Sequence, residues 1–274
     1  MAYYYIFPET DTTLYSHPDR KTMNAGADEL LELVKEPGSA DSLHYPSRIL
    51  IKFKNDEIKN VISLIGDDTF ASVSSTVKLQ LSLAEAKNIT TTHVINAYAV
   101  SQSWDEGTGK YLNLPSGSNG ASWIYQNNST IATAWSTSNF GVNGGTGSIT
   151  SPLLTQGGGT YYTGSNFYGT QQFLKGDSLD TDIDVKTIIQ KFSASLNAGE
   201  TYPEGIDNYG FLLKTLNSVE SNTAASFGEL QYFSSNTHTI YPPQLTFAWD
   251  DTINQTNNYN TDNVNSGGNL FVSI

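Results

Sequence analysis

The stretch NYGFLLKTLNSVESNTAASFGELQYFSSNTHTIYPPQLTFAWDD, residues 208–251, decides the fold. It contains three strand-like runs, at 209–214, 229–234 and 244–249, and turn residues separate them. The last run alternates polar and apolar residues, which is the pattern of a strand with one face on a core. Pro242 and Pro243 cannot donate ladder hydrogen bonds, so they belong before that strand and not within it. The stretch therefore predicts the closing strands of an all-β domain.

Further strands are predicted upstream. The runs 3–7, 11–16, 47–53, 76–83 and 93–100 are rich in β-branched, aromatic or alternating apolar residues. Residues 29–34 fit either a strand or a helical turn, and residues 55–65 fit either a short helix or a loop. Near 185–194, Val185, Ile188, Ile189 and Phe192 share one helical face, which predicts one short helix.

The middle and the end of the chain have a different composition. From about 110 to 170, Gly, Ser, Asn and Thr dominate, with aromatic residues scattered among them. This predicts a long insertion within one domain that covers residues 1–251. Residues 252–274 are polar and low in complexity until a strand-like ending at 269–274, so we predict a C-terminal linker or arm.

Composition excludes several classes of protein. The formal net charge is −13 over 274 residues, which disfavours binding to nucleic acid. There is no Cys, so disulfides and Cys-based metal sites are impossible. The first residues do not resemble a signal peptide, and no apolar run approaches the roughly 20 residues that span a bilayer. We therefore expect a protein without a membrane partner, either retained where it is made or carried in a larger assembly.

Several short motifs occur in a recognisable order. They are Asn208-Tyr209-Gly210-Phe211, Tyr232-Phe233-Ser234-Ser235 with His238, Pro243-Gln244-Leu245, Ser103-Trp104-Asp105-Glu106-Gly107-Thr108, Arg48 within 47–53, and Phe192 in the predicted helix. Together they resemble DNRLRE-type β-sandwich domains, which are carbohydrate-binding-module-like units of cell-surface and phage proteins. The resemblance covers roughly residues 10–108 and 182–251. Ser235 stands where that family often has Arg.

The resemblance implies an all-β, jelly-roll-like β-sandwich with one short helix and a long Gly/Ser/Asn-rich insertion. It also favours a strand over a helical turn for residues 29–34. The residues that it marks as structural are Arg48, Trp104, Glu106, Phe192, Asn208, Gly210, Phe211, His238 and Pro243.

No residue pattern points to catalysis. Gly176-Asp177-Ser178-Leu179 matches a serine-hydrolase tetrapeptide, but such an enzyme takes its base from an Asp-x-x-His near the C-terminus. His238 is the only His after Ser178 and has Ser235 in the Asp position, and the one Asp-x-x-His of the sequence, from Asp41 to His44, comes before the tetrapeptide. The acidic run of Asp177, Asp180, Asp182 and Asp184 suits Ca²⁺ in principle, although turn and helix-capping roles explain it more simply. We predict no enzyme activity, no catalytic residue, no metal site and no cofactor.

The aromatic residues suggest two kinds of contact. Trp104 and Trp249 lie in motif strands and are predicted to be core. Trp123, Trp135, Tyr161 and Tyr162 lie in the insertion and are the candidates for contact with a glycan or a protein partner. Arg48 is predicted to pair with a buried carboxylate or carbonyl, and His238 to hydrogen-bond within a turn.

Two functions follow as hypotheses. The first is a non-enzymatic structural component of a tailed-phage virion (neck, tail, baseplate or capsid decoration), with other virion proteins and copies of itself as partners. A β-sandwich of this kind that lacks a secretion signal reaches the outside of the cell most simply as part of a virion. The alternative is a carbohydrate-binding module for adsorption to a host-surface glycan, with the insertion aromatics as its platform.

Overall fold

The computed structural model describes residues 1–39, 41–89, 92–111, 119–127, 132–136, 146–147, 157–196, 205–222 and 224–250. Parts of the predicted insertion and the whole predicted arm, 252–274, lie outside the described residues. Within the described residues, no helix has both the length and the apolar character needed to cross a bilayer.

The chain forms sixteen strands and four α-helices in the described residues. The strands are β1 (Ala2–Ile6), β2 (Pro8–Tyr15), β3 (Leu30–Pro37), β4 (His44–Phe53), β5 (Ser75–Leu81), β6 (Leu83–Lys87), β7 (His93–Ala99), β8 (Tyr125–Asn127), β9 (Thr133–Ala134), β10 (Thr146–Gly147), β11 (Tyr161–Tyr162), β12 (Tyr168–Phe173), β13 (Thr181–Asp184), β14 (Phe211–Thr215), β15 (Glu229–Phe233) and β16 (Gln244–Trp249). The helices are α1 (Asn55–Ile65), α2 (Asp67–Ala71), α3 (Lys186–Leu196) and α4 (Asn217–Ser221).

Two antiparallel sheets make up the body of the fold. The smaller sheet has the order β1-β16-β5-β13. The larger sheet runs β12-β7-β14-β4-β3-β15-β6, and β2 also pairs with β4. The chain changes sheets at Phe7, between β1 and β2. The prediction of an all-β sandwich is confirmed, and the segment left open between strand and helical turn is the strand β3.

Strand β4 is the centre of the larger sheet. Its first residues pair with β3, and the rest of the strand lies between β2 and β14. Ile49, Ile51 and Phe53 point into the core between the sheets, whereas Arg48 and Leu50 point to the other face. All five are buried because both faces of this strand are covered, so its sequence shows little polar alternation.

The main core lies between the two sheets and beneath α1 and α3. It joins apolar residues of both sheets with Ile58, Val61, Ile62 and Ile65, the buried face of α1. This spacing is that of an amphipathic helix, so the helical alternative for 55–65 is the one that forms. The α3 helix confirms the helix predicted near 185–194, and the structure adds α1, α2 and α4 to it.

A second apolar cluster covers the outer face of the larger sheet. Leu14, Leu50 and Leu212 from β2, β4 and β14 form its floor. Its cover comes from the segment after β7, through Val100, Trp104, Ala121, Trp123, Trp135 and Tyr161. The described part of the insertion therefore adds a layer to the sandwich.

Candidate functional site

The insertion aromatics predicted to contact a glycan or a partner are mostly buried within the chain. Trp123, Trp135 and Tyr161 are 0%, 3% and 2% exposed, and Tyr162 is half-buried. The indole N–H of Trp135 donates to the carbonyl of Ser122 at 2.8 Å. The prediction that Trp123 and Trp135 form an exposed stacking platform is therefore wrong. Their rings cover an apolar sheet surface that would otherwise face water. Trp104 and Trp249 are core, as predicted, at 7% and 6% exposed.

Arg48 binds a buried carboxylate and a carbonyl, as predicted. Its Nε and Nη2 donate to the Glu220 carboxylate at 3.1 and 2.9 Å, and its Nη1 donates to the Gly158 carbonyl at 2.6 Å. Lys214 also pairs with Glu220 and donates to Asn217 Oδ1 at 2.6 Å. Arg48, Lys214 and Glu220 are at most 1% exposed, so this buried triad holds the fold together and offers no ligand site.

The electrostatics of the triad tie the insertion to the sheet. Burial and the Arg48 cation lower the pKa of Lys214 to about 8. Burial raises the pKa of Glu220, but Arg48 and Lys214 outweigh it and hold that pKa below its usual value. The Arg48 guanidinium lies 5.0 Å from the ring centroid of Trp123 and 5.5 Å from that of Tyr161. These cation–π contacts place the aromatic cover directly over the charge.

The Asn208-x-Gly210 motif forms a tight link before β14. Asn208 Nδ2 donates to the Phe53 carbonyl at 2.9 Å, and Asn208 Oδ1 accepts the N–H of Gly210 at 3.0 Å. Gly210 has φ +88°, and an added Cβ would overlap the carbonyl oxygen of Ile51. The motif is therefore structural, because it brings the backbone at the start of β14 into close contact with the backbone of β4.

The Trp104–Thr108 motif joins three loops. Trp104 Nε1 donates to the Tyr209 carbonyl at 2.8 Å, and Glu106 Oε1 accepts the N–H of Asp11 at 3.0 Å. Asn24 Nδ2 donates to the carbonyls of Glu106 and Ala121 at 2.7 and 2.8 Å. In the sequence, Asn24 stands out only through its Asn-x-Gly spacing with Gly26, which the resembled family also has at this place.

Three motif residues remain: Phe211 and Pro243 are buried at structural positions, whereas His238 is exposed. Phe211 packs edge-on against Phe192, with ring centroids 5.6 Å apart in the main core. Pro243 is buried just before β16, where a residue without an N–H is tolerated. His238 is exposed in the bend that follows β15.

Asp11 is a buried carboxyl that lacks full hydrogen bonding. It is 1% exposed, and its Oδ2 accepts the N–H of Ser235 at 2.7 Å. Its Oδ1 has no hydrogen-bond partner among the described residues. Burial raises the pKa of Asp11 to about 7, with a further contribution from the Glu106 carboxylate, although bonding to Ser235 opposes the shift.

The contribution of Asp11 to stability should therefore fall as the pH rises from about 4 to about 7. The folded protein binds a proton at Asp11 more tightly than the unfolded chain does, so ionisation in this window favours unfolding. Asp11→Asn removes the titration, and its free energy of unfolding relative to wild type should rise by about 2–4 kcal/mol from pH 4 to pH 8. Urea unfolding at several pH values measures this, with Glu9→Gln as the exposed control. Parallel profiles for wild type and Asp11→Asn would contradict it.

The acidic run and the serine-hydrolase tetrapeptide have local roles. Asp177 Oδ2 accepts the N–H of Leu174 at 2.8 Å, and Asp184 Oδ1 accepts the N–H of Lys186 at the start of α3 at 3.0 Å. Ser178 Oγ donates to Asp180 Oδ2 at 3.0 Å. No three Asp, Glu or His side chains converge on a metal-sized site in the described part of the chain. Turn and capping chemistry accounts for the run.

A groove of about 650 Å³ opens on the outer face of β3, β15 and β6. Its floor carries Glu32, Gln231 and Glu229, and Gln231 Nε2 donates to both carboxylates at 2.8 and 2.6 Å. Glu32 also accepts the Tyr15 hydroxyl at 2.6 Å. Lys87 on β6 lies 3.7 Å from Glu229. These bonds fix the polar atoms of the floor in place.

One wall of this groove is aromatic and charged. Arg20 pairs with Glu36, and its guanidinium carbon lies 4.6 Å from the ring centroid of Tyr111. The Tyr111 hydroxyl donates to Glu36 Oε1 at 3.0 Å. Burial raises the pKa of Glu32, although hydrogen bonds from Tyr15 and Gln231 oppose this. The groove thus presents carboxylates, which accept hydrogen bonds, and the cations Arg20 and Lys87, which donate them, beside the ring of Tyr111.

The second surface feature is the aromatic edge, which we define as Met1, Tyr3, Tyr4, Tyr5 and Phe7. Their exposed fractions are 76%, 56%, 43%, 49% and 52%. Strand β1 is the last strand of the smaller sheet and pairs only with β16 among the described residues. The aromatic edge therefore combines a strand that is unpaired on one side among the described residues with large exposed side chains, Tyr3 and Tyr5 on one face and Tyr4 on the other. Both are features of interaction surfaces.

No protein-family model and no curated protein matches this chain. The resemblance to DNRLRE-type domains stays a prediction. The fold and the two surface features define a multi-layered β-sandwich with a polar groove and an exposed aromatic sheet edge.

Proposed function

We propose that the protein is a non-enzymatic structural component of a tailed-phage virion and acts through subunit contacts. Its place in the particle would be the neck, tail, baseplate or capsid decoration. The observation that supports this most is the aromatic edge, because isolated soluble chains seldom leave an unprotected edge strand covered with large apolar side chains. Partners are other virion proteins and copies of the chain.

The rest of the molecule suits a passive subunit. Both faces of the central strand β4 are buried, and the buried triad fixes the insertion to the larger sheet. A rigid body of this kind can be repeated by symmetry without changing shape. Its net charge of −13 opposes non-specific contact between copies, so association would occur where the surface is uncharged.

Mass spectrometry of purified particles tests the proposal. Purified particles of the phage that encodes this chain should contain it at a stoichiometry comparable to other tail or capsid components. A labelled antibody should mark one fixed position on the particle. A chain abundant in infected cells but missing from purified particles would overturn the virion role.

A second function, glycan binding for host adsorption, is favoured by the groove and not by the insertion aromatics. Sugar hydroxyls both donate and accept hydrogen bonds. The carboxylates of Glu32 and Glu229 can accept, and Arg20 and Lys87 in the lining can donate. Tyr111 supplies an adjacent ring. Pockets that combine a few fixed polar groups with an aromatic wall are typical ligand sites.

Gln231→Ala should weaken glycan binding by about tenfold, because it leaves two carboxylates of the floor without their shared donor. An array of neutral oligosaccharides identifies the ligand, and calorimetry then compares the variants. Gln244→Ala, on the smaller sheet, is the matched control and should bind like wild type. An array without any bound oligosaccharide, or an equal loss of affinity in both variants, would rule out glycan binding at this groove.

A further inference from the structure

The free side of β1 lacks the usual protection of an edge strand. Natural edges carry Lys, Pro or a bulge that prevents pairing with another chain. Here the register of β1 against β16 is regular from Ala2 to Ile6, and the first Pro, Pro8, comes only after the strand. Within the part of the chain that the structure describes, no strand pairs with this side of β1, so its N–H and C=O groups can accept a further strand.

The chemistry of this edge suits a copy of the same acidic chain. No side chain from Met1 to Pro8 is charged, whereas the chain as a whole has a formal net charge of −13. Two copies that meet through charged surface bring like charges together, which costs free energy. A contact along β1 avoids this repulsion and removes exposed aromatic area from water.

The sequence of β1 is also complementary to itself. In an antiparallel pair centred on Tyr4, Tyr3 of one copy lies opposite Tyr5 of the other, and the same pair recurs on the other side of the axis. Ile6 is buried at 1% exposed, so the alternate residues Tyr3 and Tyr5 lie on the outer face of the sheet. Cross-strand aromatic pairs of this kind stabilise sheets.

We propose that two copies of the chain associate through antiparallel β1–β1 pairing about a twofold axis at Tyr4, which joins their smaller sheets into one continuous eight-stranded sheet. The choice of partner rests on the proposed function, in which the chain acts through contacts with copies of itself. Four strands from each copy contribute to this sheet.

Cysteine cross-linking tests the register directly, because the natural chain has no Cys. Tyr4→Cys should form a disulfide-linked dimer on mild oxidation, and a mixture of Tyr3→Cys with Tyr5→Cys should give the mixed dimer. Tyr3→Cys alone should cross-link far less, since its partner is position 5. Leu64→Cys, exposed on α1, is the control. Equal cross-linking of all single variants would overturn the pairing.

Light scattering coupled to gel filtration tests the surface itself. The full chain should be dimeric at tens of micromolar, and Tyr4→Lys should weaken the dimer at least tenfold, whereas Leu64→Lys should leave it unchanged. An oligomer that persists in Tyr4→Lys overturns the β1 interface but leaves a structural role through another surface. A wild-type chain that remains monomeric overturns the inference, and the composition of the particle then decides the proposed function separately.

Discussion

Replacing Glu220 by Gln is expected to destabilise the protein by about 3–5 kcal/mol. Glu220 is the only carboxylate that pairs with Arg48 and Lys214 within the described residues, and all three side chains are buried. Gln has a similar shape but no charge, so two cations would remain in a low-dielectric interior without a counter-charge. Urea unfolding at pH 7 measures the loss.

Two further variants make this prediction specific. Glu9→Gln breaks the partly exposed Glu9–Lys52 pair, whose charged atoms lie 3.4 Å apart, and should cost at most about 0.5 kcal/mol. Adding Lys214→Met to Glu220→Gln removes one of the two uncompensated cations and should recover part of the loss. A Glu220→Gln variant as stable as Glu9→Gln would show that the triad does not need its carboxylate.

Gly210→Ala is expected to have the second large effect, a loss of about 3 kcal/mol or more. The glycine has φ +88°, and its Cβ would overlap the Ile51 carbonyl oxygen and lie 2.9 Å from Lys52 Cα. Both contacts are with the backbone of β4, which cannot move without disturbing the centre of the larger sheet. Thermal and urea unfolding measure the change.

Gly66→Ala is the matched control for Gly210→Ala. Gly66 ends α1 with φ +83°, but nothing lies within 4 Å of an added Cβ. The two variants share the strain of a positive φ, which costs about 1–2 kcal/mol, so their difference isolates the steric overlap. Equal losses would mean that the start of β14 moves away from β4 to accommodate the methyl group.

Local patterns were sufficient for many elements. Strand β5 alternates over its whole length, β16 follows a Pro pair, and α3 carries four apolar residues on one helical face. Each of these signals is contained within a dozen residues, because side-chain direction repeats every 2 residues in a strand and every 3.6 in a helix. The same locality made 29–34 ambiguous, since six residues are too few to separate the two periods.

The roles of single side chains were predicted only where a motif fixed them. The pairing of Arg48 with a carboxylate follows from a charged residue within an apolar strand, which must be compensated when buried. The sequence could not name Glu220, which is 172 residues away. It also assigned Trp123 and Trp135 to an exposed surface, since no local pattern reveals that the outer face of the larger sheet needs an apolar cover.

By itself, the sequence determined the all-β class, the positions of most strands and the structural nature of the Asn-x-Gly motif. The tertiary structure alone decided which surfaces remain open. The groove joins Glu32 to Gln231 across 199 residues, and β1 becomes an exposed edge only because β16 takes its other side. Periodicity specifies which face of a strand is buried, but strand order depends on long-range pairing, and strand order is what leaves an edge or a groove accessible to a partner.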